Sequence, residues 1–277
     1  MEALRRAVEA RGYQATFLPI TALCAQIPDP PHVWVELHRL EAFDGILVRT
    51  IPRGSLEQIV FRMDVLHRLE NLGCCVVNPA KAIERCVDKF LTSALLRDAG
   101  MVVPPTVVTE RADTALEAYR RMGDCVVKPL FGSGGRGMVR ITDEDTAYRV
   151  FRALELARAV YYVQATIPHY GFDVRVVTVG GRVVGAMRRR AQDWRTNLAQ
   201  GAQPEPLELP REWAEMALRA TEAVGADYAG VDLLPGRDGR VYVLEVNAIP
   251  GWRGLAEVTE VDIAACIVDH LIRRIGV

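Results

Sequence analysis

The stretch from Tyr228 to Leu255, YAGVDLLPGRDGRVYVLEVNAIPGWRGL, sets the tightest limits on how this chain folds. It reads as two strands joined by a turn and followed by a Pro-Gly loop. Asp238-Gly239 is a two-residue hairpin signal. With those residues as the turn, Arg237 faces Arg240, and counting outward puts Asp232 opposite Glu245. Directly opposed residues share a sheet face, as do residues two apart on one strand. Asp232, Glu245 and Asn247 therefore converge on one side, unless Pro235 and Gly236 shift the register by one.

Two carboxylates and an amide oxygen on one patch make poor packing, because like charges repel and burial demands a counter-charge. An all-oxygen set is what Mg²⁺ prefers, with phosphate oxygens completing its shell. The alternative is an exposed polar face on a hairpin. The neighbours Val231, Leu233, Leu234, Val243, Leu244 and Val246 mark the strands as interior and favour the metal.

At 277 residues the chain can bury a substantial core and hold one to three small domains. A formal net charge of -1 gives no global field favouring nucleic acid or membranes. The six cysteines show no C-x-x-C or Cys/His metal spacing and read as thiols in a reducing compartment. The first residues, MEALRRAVEARGY, lack a signal-peptide core, and no apolar run approaches membrane-spanning length, so a cytoplasmic protein is expected.

The first part of the chain alternates. A helix from Glu2 to Arg11 ends at Gly12, followed by strands at Ala15–Leu18 and Gly45–Val48. Asp29-Pro30-Pro31 marks a loop. A long helix from Ser55 to Leu72 has Ser55 as N-cap and Gly73 as its stop, and a strand at Cys75–Val77 closes at Asn78-Pro79. This is the pattern of a small open α/β domain. Beyond Pro79, helices are expected at Asp88–Ala99, Thr114–Met122, Asp143–Ala159 and Glu212–Val224. Strands are expected at Thr106–Thr109, Cys125–Lys128, Met138–Ile141, Tyr161–Gln164, Val174–Val179 and Arg182–Met187. Thr259 with Asp262 suggests a capping box for the last helix.

VVKPLFGSGGRGMVRI carries Gly132, Gly134 and Gly137 in G-x-G-x-x-G spacing. A dinucleotide fingerprint needs a helix after the loop, whereas MVRIT is strand-like, so this loop turns a hairpin. Either it is a flexible hairpin tip, or it is a mobile lid whose N–H groups wrap nucleotide phosphates. Lys128, at the end of an apolar strand, needs an anion nearby. Lys89, near the start of a helix, opposes the helix dipole and so is not placed for helix stability, unless it is simply solvated.

GFDVRVVTVGGRVVGAMRRRAQDWRTNLAQGA places Asp173 and Arg175 on one strand face, with Arg188, Arg190, Arg195 and Asn197 following. The run at Arg188–Arg190 suits a basic surface. Arg175, however, lies in an alternating apolar strand where an unpaired guanidinium is costly. Arginine forks hold carboxylate or phosphate in a bidentate way.

Taken together, GVDLL and LEVNAIPG, the hairpin glycine loop and the D-x-R…R…R-x-N stretch resemble the ATP-grasp ligases, and more specifically the RimK-type glutamate ligases, over roughly Phe43 to Leu255. The resemblance implies an α/β fold of the α+β ATP-grasp kind. A small N-terminal open α/β domain (1–79) would precede a central subdomain with the glycine lid (80–160) and a C-terminal subdomain with the metal hairpin (161–277), the last two clasping ATP between them. The family begins with a strand before the first helix, which is not seen here.

The resemblance further implies ATP and two Mg²⁺ ions (or Mn²⁺), the metal held by Asp232, Glu245 and Asn247. Lys89, Lys128, Gly132, Ser133, Gly134, Gly135, Gly137, Gln164, Ala165, Ile167 and Asp173 would bind the nucleotide. Lys128, Arg175 and Arg188 would act in catalysis, and Arg188, Arg195, Asn197, Gly251 and Trp252 on the substrates. Arg195 and Asn197 are expected on the amino-acid side, away from the nucleotide. Where the family has Gln-Glu at the hinge, this chain has Gln164-Ala165. Trp252 either stacks on a substrate ring or packs under its loop. The implied reaction joins a carboxylate to an amine through an acyl phosphate, adding L-glutamate to a small-molecule acceptor such as a pterin coenzyme. The alternatives are a protein C-terminus or small peptide as acceptor, or a catalytically silent nucleotide-binding module. The implied partners are small-molecule carboxylate and amino-acid substrates, with no nucleic acid and no membrane, and self-association left open.

Overall fold

Eight consecutive buried residues, Tyr228–Pro235, form an interior strand of the largest sheet in the computed structural model, which describes residues 1–27, 32–132 and 134–276. In chain order the elements begin with α1 (Glu2–Glu9), β1 (Leu23–Gln26), β2 (His32–Val35), β3 (His38–Arg39), β4 (Gly45–Leu47), α2 (Leu56–Asn71), β5 (Cys75–Val77), α3 (Ala80–Val87) and α4 (Lys89–Asp98). Next come β6 (Thr106–Thr109), α5 (Ala112–Met122), β7 (Cys125–Lys128), β8 (Val139–Ile141), α6 (Glu144–Leu156), β9 (Tyr161–Ala165), β10 (Phe172–Val179), β11 (Arg182–Arg190) and β12 (Gln203–Pro206). The chain closes with α7 (Arg211–Val224), β13 (Tyr228–Pro235), β14 (Val241–Asn247), α8 (Arg253–Ala256) and α9 (Ile263–Arg274).

The largest sheet is antiparallel, in the order β12-β11-β10-β13-β14. Its period-two pattern separates two faces. Val174 and Val176 of β10 with Val231 and Leu233 of β13 pack on Ala217, Ala220 and Val224 of α7. On the other face Val177, Val179, Met187 and Tyr228 pack on Leu255, Ile263 and Ile267 from α8 and α9. That cover stops short of the β10–β13 end carrying Asp173, Arg175 and Asp232. Among the residues buried there are three charged side chains in adjacent strands, which is where a site is to be sought.

The second sheet has the order β6-β9-β7-β8, again antiparallel. Its odd-numbered residues Cys125, Val127, Tyr161 and Val163 pack on Ala115, Ala118 and Phe151 of α5 and α6. Its even-numbered residues Val126, Lys128, Tyr162 and Gln164 therefore face the other way. Strand β9, expected to open the last subdomain at residue 161, instead lies between β6 and β7 in this sheet.

In the N-terminal part β4 and β5 pair in parallel, and β1, β2 and β3 form a small antiparallel sheet. Ser55 caps α2 in a full capping box with Gln58, as its position implies. Helix α1 packs on α9 through Leu4, Ala7, Ala264 and Val268. Ala15–Leu18 is not a strand. Among the described residues it has no ladder partner, and an apolar cavity of about 540 Å³ lies between it, β4 and α9. The last helix starts at Asp262, whose own side chain accepts from the Ala265 N–H. Thr259 instead accepts from Val261, so no Thr259–Asp262 capping box forms. Asp29-Pro30-Pro31 lies outside the described residues.

The metal hairpin reaches the expected pairing by a different route. The tip is a three-residue loop, Arg237–Gly239, closed by Gly236 N–H to Arg240 O at 2.8 Å, not a two-residue Asp238-Gly239 turn. That loop alone would slip the register by one. A bulge on the β14 side, with Leu244 unpaired between Val243 and Glu245, shifts it back, and Asp232 ends opposite Glu245.

Candidate active site

The site lies where the bare end of the large sheet meets the even-numbered face of the second. Asp232, on β13, pairs across to Arg175 on β10 and to Glu245 on β14. Gly230 pairs with Asn247, so Asp232, Glu245 and Asn247 share one face. Arg175 grips Asp232 with both Nε and Nη2, the second bond at 2.8 Å. The guanidinium that Arg175 needs balanced is therefore balanced by a metal-ligand candidate.

A second arginine completes this ladder, and it is Arg189 instead of Arg188. Arg189 lies opposite Asp173 and donates to its carboxylate through Nε at 2.6 Å, while its Nη2 is 2.9 Å from Asp232 Oδ2. Thr196 donates from Oγ1 to Asp173 Oδ2 at 2.6 Å. The result is an alternating row: Thr196, Asp173, Arg189, Asp232, Arg175. Arg189 is 4% exposed and Asp232 3%, so the charges are stabilised by each other and not by water. Burial alone would push Asp232 up, but the guanidiniums of Arg175 and Arg189 outweigh it and hold the carboxyl below its usual range. Burial pushes Asp173 up, against the opposing pull of Arg189.

Arg188 lies opposite Val174, on the α7 face. It sits 4.6 Å from the Phe172 ring centroid and 3.5 Å from Glu205, apart from the other site candidates. The reason is a bulge between Val177 and Thr178. The Gly180-Gly181 turn by itself would set Arg188 against Asp173, and the bulge advances β11 by one residue, bringing Arg189 there. The one signal in the sequence is Gly185, a glycine inside the strand pattern, which lies opposite Val177 at the bulge.

Lys128 and Gln164 project from the second sheet toward the same space. Lys128 Nζ donates to Gln164 Oε1 at 2.6 Å, and Gln164 Nε2 donates to Thr106 Oγ1 and the Tyr162 hydroxyl. Gln164 thus fixes Lys128, whose partner in this structure is neutral. Burial pushes the Lys128 amine down to about 8, with Glu245 opposing the shift and Lys89 adding to it. Lys89 is the first residue of α4, and its Nζ donates to Leu130 O at 3.3 Å and Gly132 O at 2.9 Å, tying the helix to the glycine loop. Its amine is also lowered by burial.

The glycine loop joins β7 to β8 as a hairpin, as expected, and Ser133 lies outside the described residues. Gly132, Gly134, Gly135 and Gly137 all have positive φ. At Gly135 the requirement is strict. Its φ is +71°, and an added Cβ would fall 2.5 Å from Asn197 Oδ1. Gln200 Nε2 donates to Gly134 O at 3.2 Å. The loop thus closes on the segment bearing Arg195 and Asn197.

That segment is on the nucleotide-candidate side, contrary to the expected separation. Trp194, Arg195, Thr196 and Asn197 line one cavity with Lys128, Gln164, Ala165, Ile167, Asp232 and Glu245. Leu234, Leu244, Val126 and Pro104 add apolar walls. Arg195 itself pairs with Asp193, Nη2 to Oδ2 at 2.9 Å. Asp173, with 1% exposure, also lines this cavity and supports Arg189 and Thr196. The hinge N–H groups of Ala165 and Thr166 are bound to Pro105 O and Asp124 O. Trp252 packs against the α8–α9 core with the Arg49 guanidinium 4.3 Å from its ring centroid, and Gly251 is exposed.

The donor set suits a hard divalent cation. Glu245 is half-buried opposite Asp232 and has no ion pair among the described residues. Asn247 Oδ1 accepts only from Ile249 N–H, at 2.8 Å, which leaves a lone pair. No group of three His, Cys, Asp or Glu that could hold a metal occurs among the described residues, so the amide oxygen and ligand oxygens must complete the shell.

Two antiparallel sheets flank two lysines, a glycine hairpin and an Asp-Glu-Asn oxygen set, the layout of the ATP-grasp class. The chain belongs to the RimK-like ATP-grasp family, whose domain model matches residues 86–271. It is 38% identical over 228 residues to the tetrahydromethanopterin:alpha-L-glutamate ligase of Methanococcus maripaludis, covering 80% of this chain and 77% of that protein. To the ligase of the same name from Methanocaldococcus jannaschii it is 36% identical over 243 residues, covering 85% and 81%. To a probable alpha-L-glutamate ligase of Maridesulfovibrio salexigens it is 30% identical over 274 residues, covering 97% and 89%. Its fold resembles a solved ATP-grasp ligase, PsnB, complexed with a minimal precursor (TM-score 0.78, 24% identity, 99% and 94% of the two chains). It also resembles a RimK domain protein of Sphaerobacter thermophilus (TM-score 0.78, 23% identity, 98% and 94%).

Proposed function

We propose that this chain joins L-glutamate to a carboxylate of a tetrahydromethanopterin-type pterin coenzyme, consuming ATP. The observation that carries the reading is the register of β13 on β14, which sets Asp232, Glu245 and Asn247 on one face beside two lysines. The acceptor rests on the relatives at 36% and 38% identity that bear that name.

Mg²⁺, as one or two ions or replaced by Mn²⁺, would be held by Asp232, Glu245 and Asn247 and would neutralise charge on the transferred phosphate. The chain's residues do the rest. Lys128 and Lys89 bind phosphate oxygens. The N–H groups of Gly132, Gly134, Gly135 and Gly137 close over them. Leu234, Leu244 and Val126 sandwich the base, with the Ile167 N–H at its edge. Arg175 faces the transferred phosphate, and Arg189 locks Asp232 in place from below. The acceptor carboxylate attacks the γ-phosphate, giving an acyl phosphate and ADP. The glutamate amine then displaces phosphate, giving the amide. Catalysis here is positioning and charge neutralisation, with no covalent enzyme intermediate.

Three units, an N-terminal domain and two halves that clasp ATP, divide this work. The cysteines are all unpaired, which suits a cytoplasmic setting. No helix among the described residues is long and apolar enough to cross a membrane. The test is ADP release with glutamate and tetrahydromethanopterin supplied together, and a product heavier by one glutamyl residue. ADP release without either substrate, or no product, refutes the reading.

A further inference from the structure

The loop leaving the carboxyl end of β4 carries two arginines, Arg49 and Arg53, and a third, Arg62, lies beneath it on α2. Among the described residues none of the three has an ion pair; several surface arginines share that, but Arg62 is buried, as are Arg175 and Arg189, and those two are matched to aspartates. Arg62 is 6% exposed, and its one hydrogen bond is Nη1 to Pro52 O at 2.7 Å. The other Arg62 guanidinium nitrogens are not among the buried atoms left without a partner, so they keep donors open toward the loop, where an anion can take the place of water.

The loop is also in the right place. In open α/β sheets ligands gather outside the carboxyl ends of parallel strands. Here that edge is clamped to the metal hairpin. Asn78, after β5, donates to Tyr228 O at 2.7 Å and accepts from the N–H groups of Asp227 and Tyr228. Arg49, after β4, donates to the Tyr228 hydroxyl at 2.9 Å and to Pro250 O at 3.0 Å. A Cβ added at Gly230 would meet Arg175 Nη1 at 2.7 Å and Pro250 Cβ at 3.0 Å. Arg49 and Arg175 therefore both lie close to Pro250, at the hairpin that carries Asp232 and Glu245.

We infer that the Arg49–Gly54 loop, backed by Arg62, binds a carboxylate-bearing part of the acceptor and holds it against the metal hairpin. This deepens the ligase reading and rests on it. A purely structural Arg49, stacked on Trp252 as a strut between β4 and the hairpin, would leave the acceptor's affinity untouched and would give the exposed Arg53 nothing to do.

The test uses Arg49→Gln and Arg53→Gln in the full chain, with tetrahydromethanopterin as acceptor. Loss of a charge-assisted bond should raise the acceptor KM about tenfold to a hundredfold for Arg49→Gln. Arg53→Gln, at the exposed rim, should raise it about threefold. The glutamate KM and MgADP affinity should stay unchanged, and Arg49→Lys should recover part of the loss. An unchanged acceptor KM in both variants, or an equal rise in every constant, overturns the inference. A second arm needs no turnover: calorimetric binding of glutarate and of glutaramide to MgADP-loaded protein. Glutarate should bind at least about tenfold tighter, and the double variant should abolish the difference. If the wild type makes no glutamyl product, the ligase reading fails while the glutarate arm still decides the loop. Equal binding of the dicarboxylate and the diamide overturns the assignment.

Discussion

Arg189 and Arg188 are adjacent in sequence and should behave oppositely when truncated. Arg189 is 4% exposed and is bound to Asp173 and Asp232, which are 1% and 3% exposed. Arg189→Ala leaves Asp173 buried with only Thr196 as partner. Breaking a buried ion pair in this way costs about 3–5 kcal/mol. At roughly 2–4 °C per kcal/mol for chains of this size, melting should fall by about 6–20 °C. Arg188, about a third exposed beside Glu205, should cost at most about 1 kcal/mol. Calorimetry and urea unfolding read both. Adding Asp173→Asn to Arg189→Met should restore part of the loss, because no unpaired charge then stays buried. Equal destabilisation by Arg188→Ala and Arg189→Ala would refute the bulge and the charge row built on it.

Lys128 gives a pH signature. Its amine is held at about 8 by burial in the free protein, so above that pH it is largely neutral, and phosphate binding must restore its proton. Nucleotide binding should therefore take up a proton above pH 8 and weaken by up to about tenfold per pH unit beyond it, whereas below pH 8 the uptake vanishes. Calorimetry in buffers of different ionisation heat should show this, and Lys128→Arg should remove it. Gly135→Ala meets both a left-handed backbone costing about 1–2 kcal/mol and Asn197 Oδ1 at 2.5 Å. It should raise hydrogen exchange at residues 134–137 and 197–200 in the nucleotide-free protein; unchanged exchange would count against the docked loop. The cavity beneath that loop holds about 100 Å³, below the roughly 300 Å³ of a usual ligand pocket. Nucleotide entry should accordingly expose the 134–137 and 197–200 amides transiently, and bound nucleotide should protect them.

Strand periodicity made most of the large sheet legible, because β10, β13 and β14 carry long apolar runs bounded by glycine and proline. Asp232 stands opposite Glu245 as expected because two shifts cancel: the one-residue slip raised for Pro235 and Gly236, realised as a three-residue tip, and the Leu244 bulge, which the sequence does not signal. On β11 a single bulge with nothing to cancel it sets Arg189 opposite Asp173, whereas the resemblance pointed to Arg188, whose side chain lies on the other face. Bulges depend on how neighbouring strands twist and pack, and a one-dimensional parity count cannot see them. Ala15–Leu18 has the composition of a strand and no partner to pair with, so local preference alone did not make it one. Arg195 and Asn197 were separated from the nucleotide side by counting along the chain, yet the glycine loop folds back onto them. The Arg49 loop carries no motif, because the proposed role rests on how Arg49, Arg53 and Arg62 are brought together in space.

In the proposed reaction this cleft activates an acceptor carboxylate as an acyl phosphate. The direct measurement uses acceptor labelled with ¹⁸O in its carboxylate, turned over with ATP, Mg²⁺ and glutamate, with the released phosphate analysed by mass spectrometry. Transfer of one ¹⁸O to inorganic phosphate for each amide formed is the expected result, and Glu245→Gln should lose both label transfer and amide while keeping the wild-type fold by circular dichroism. Amide formation with unlabelled phosphate, or with AMP and pyrophosphate in place of ADP, would contradict it.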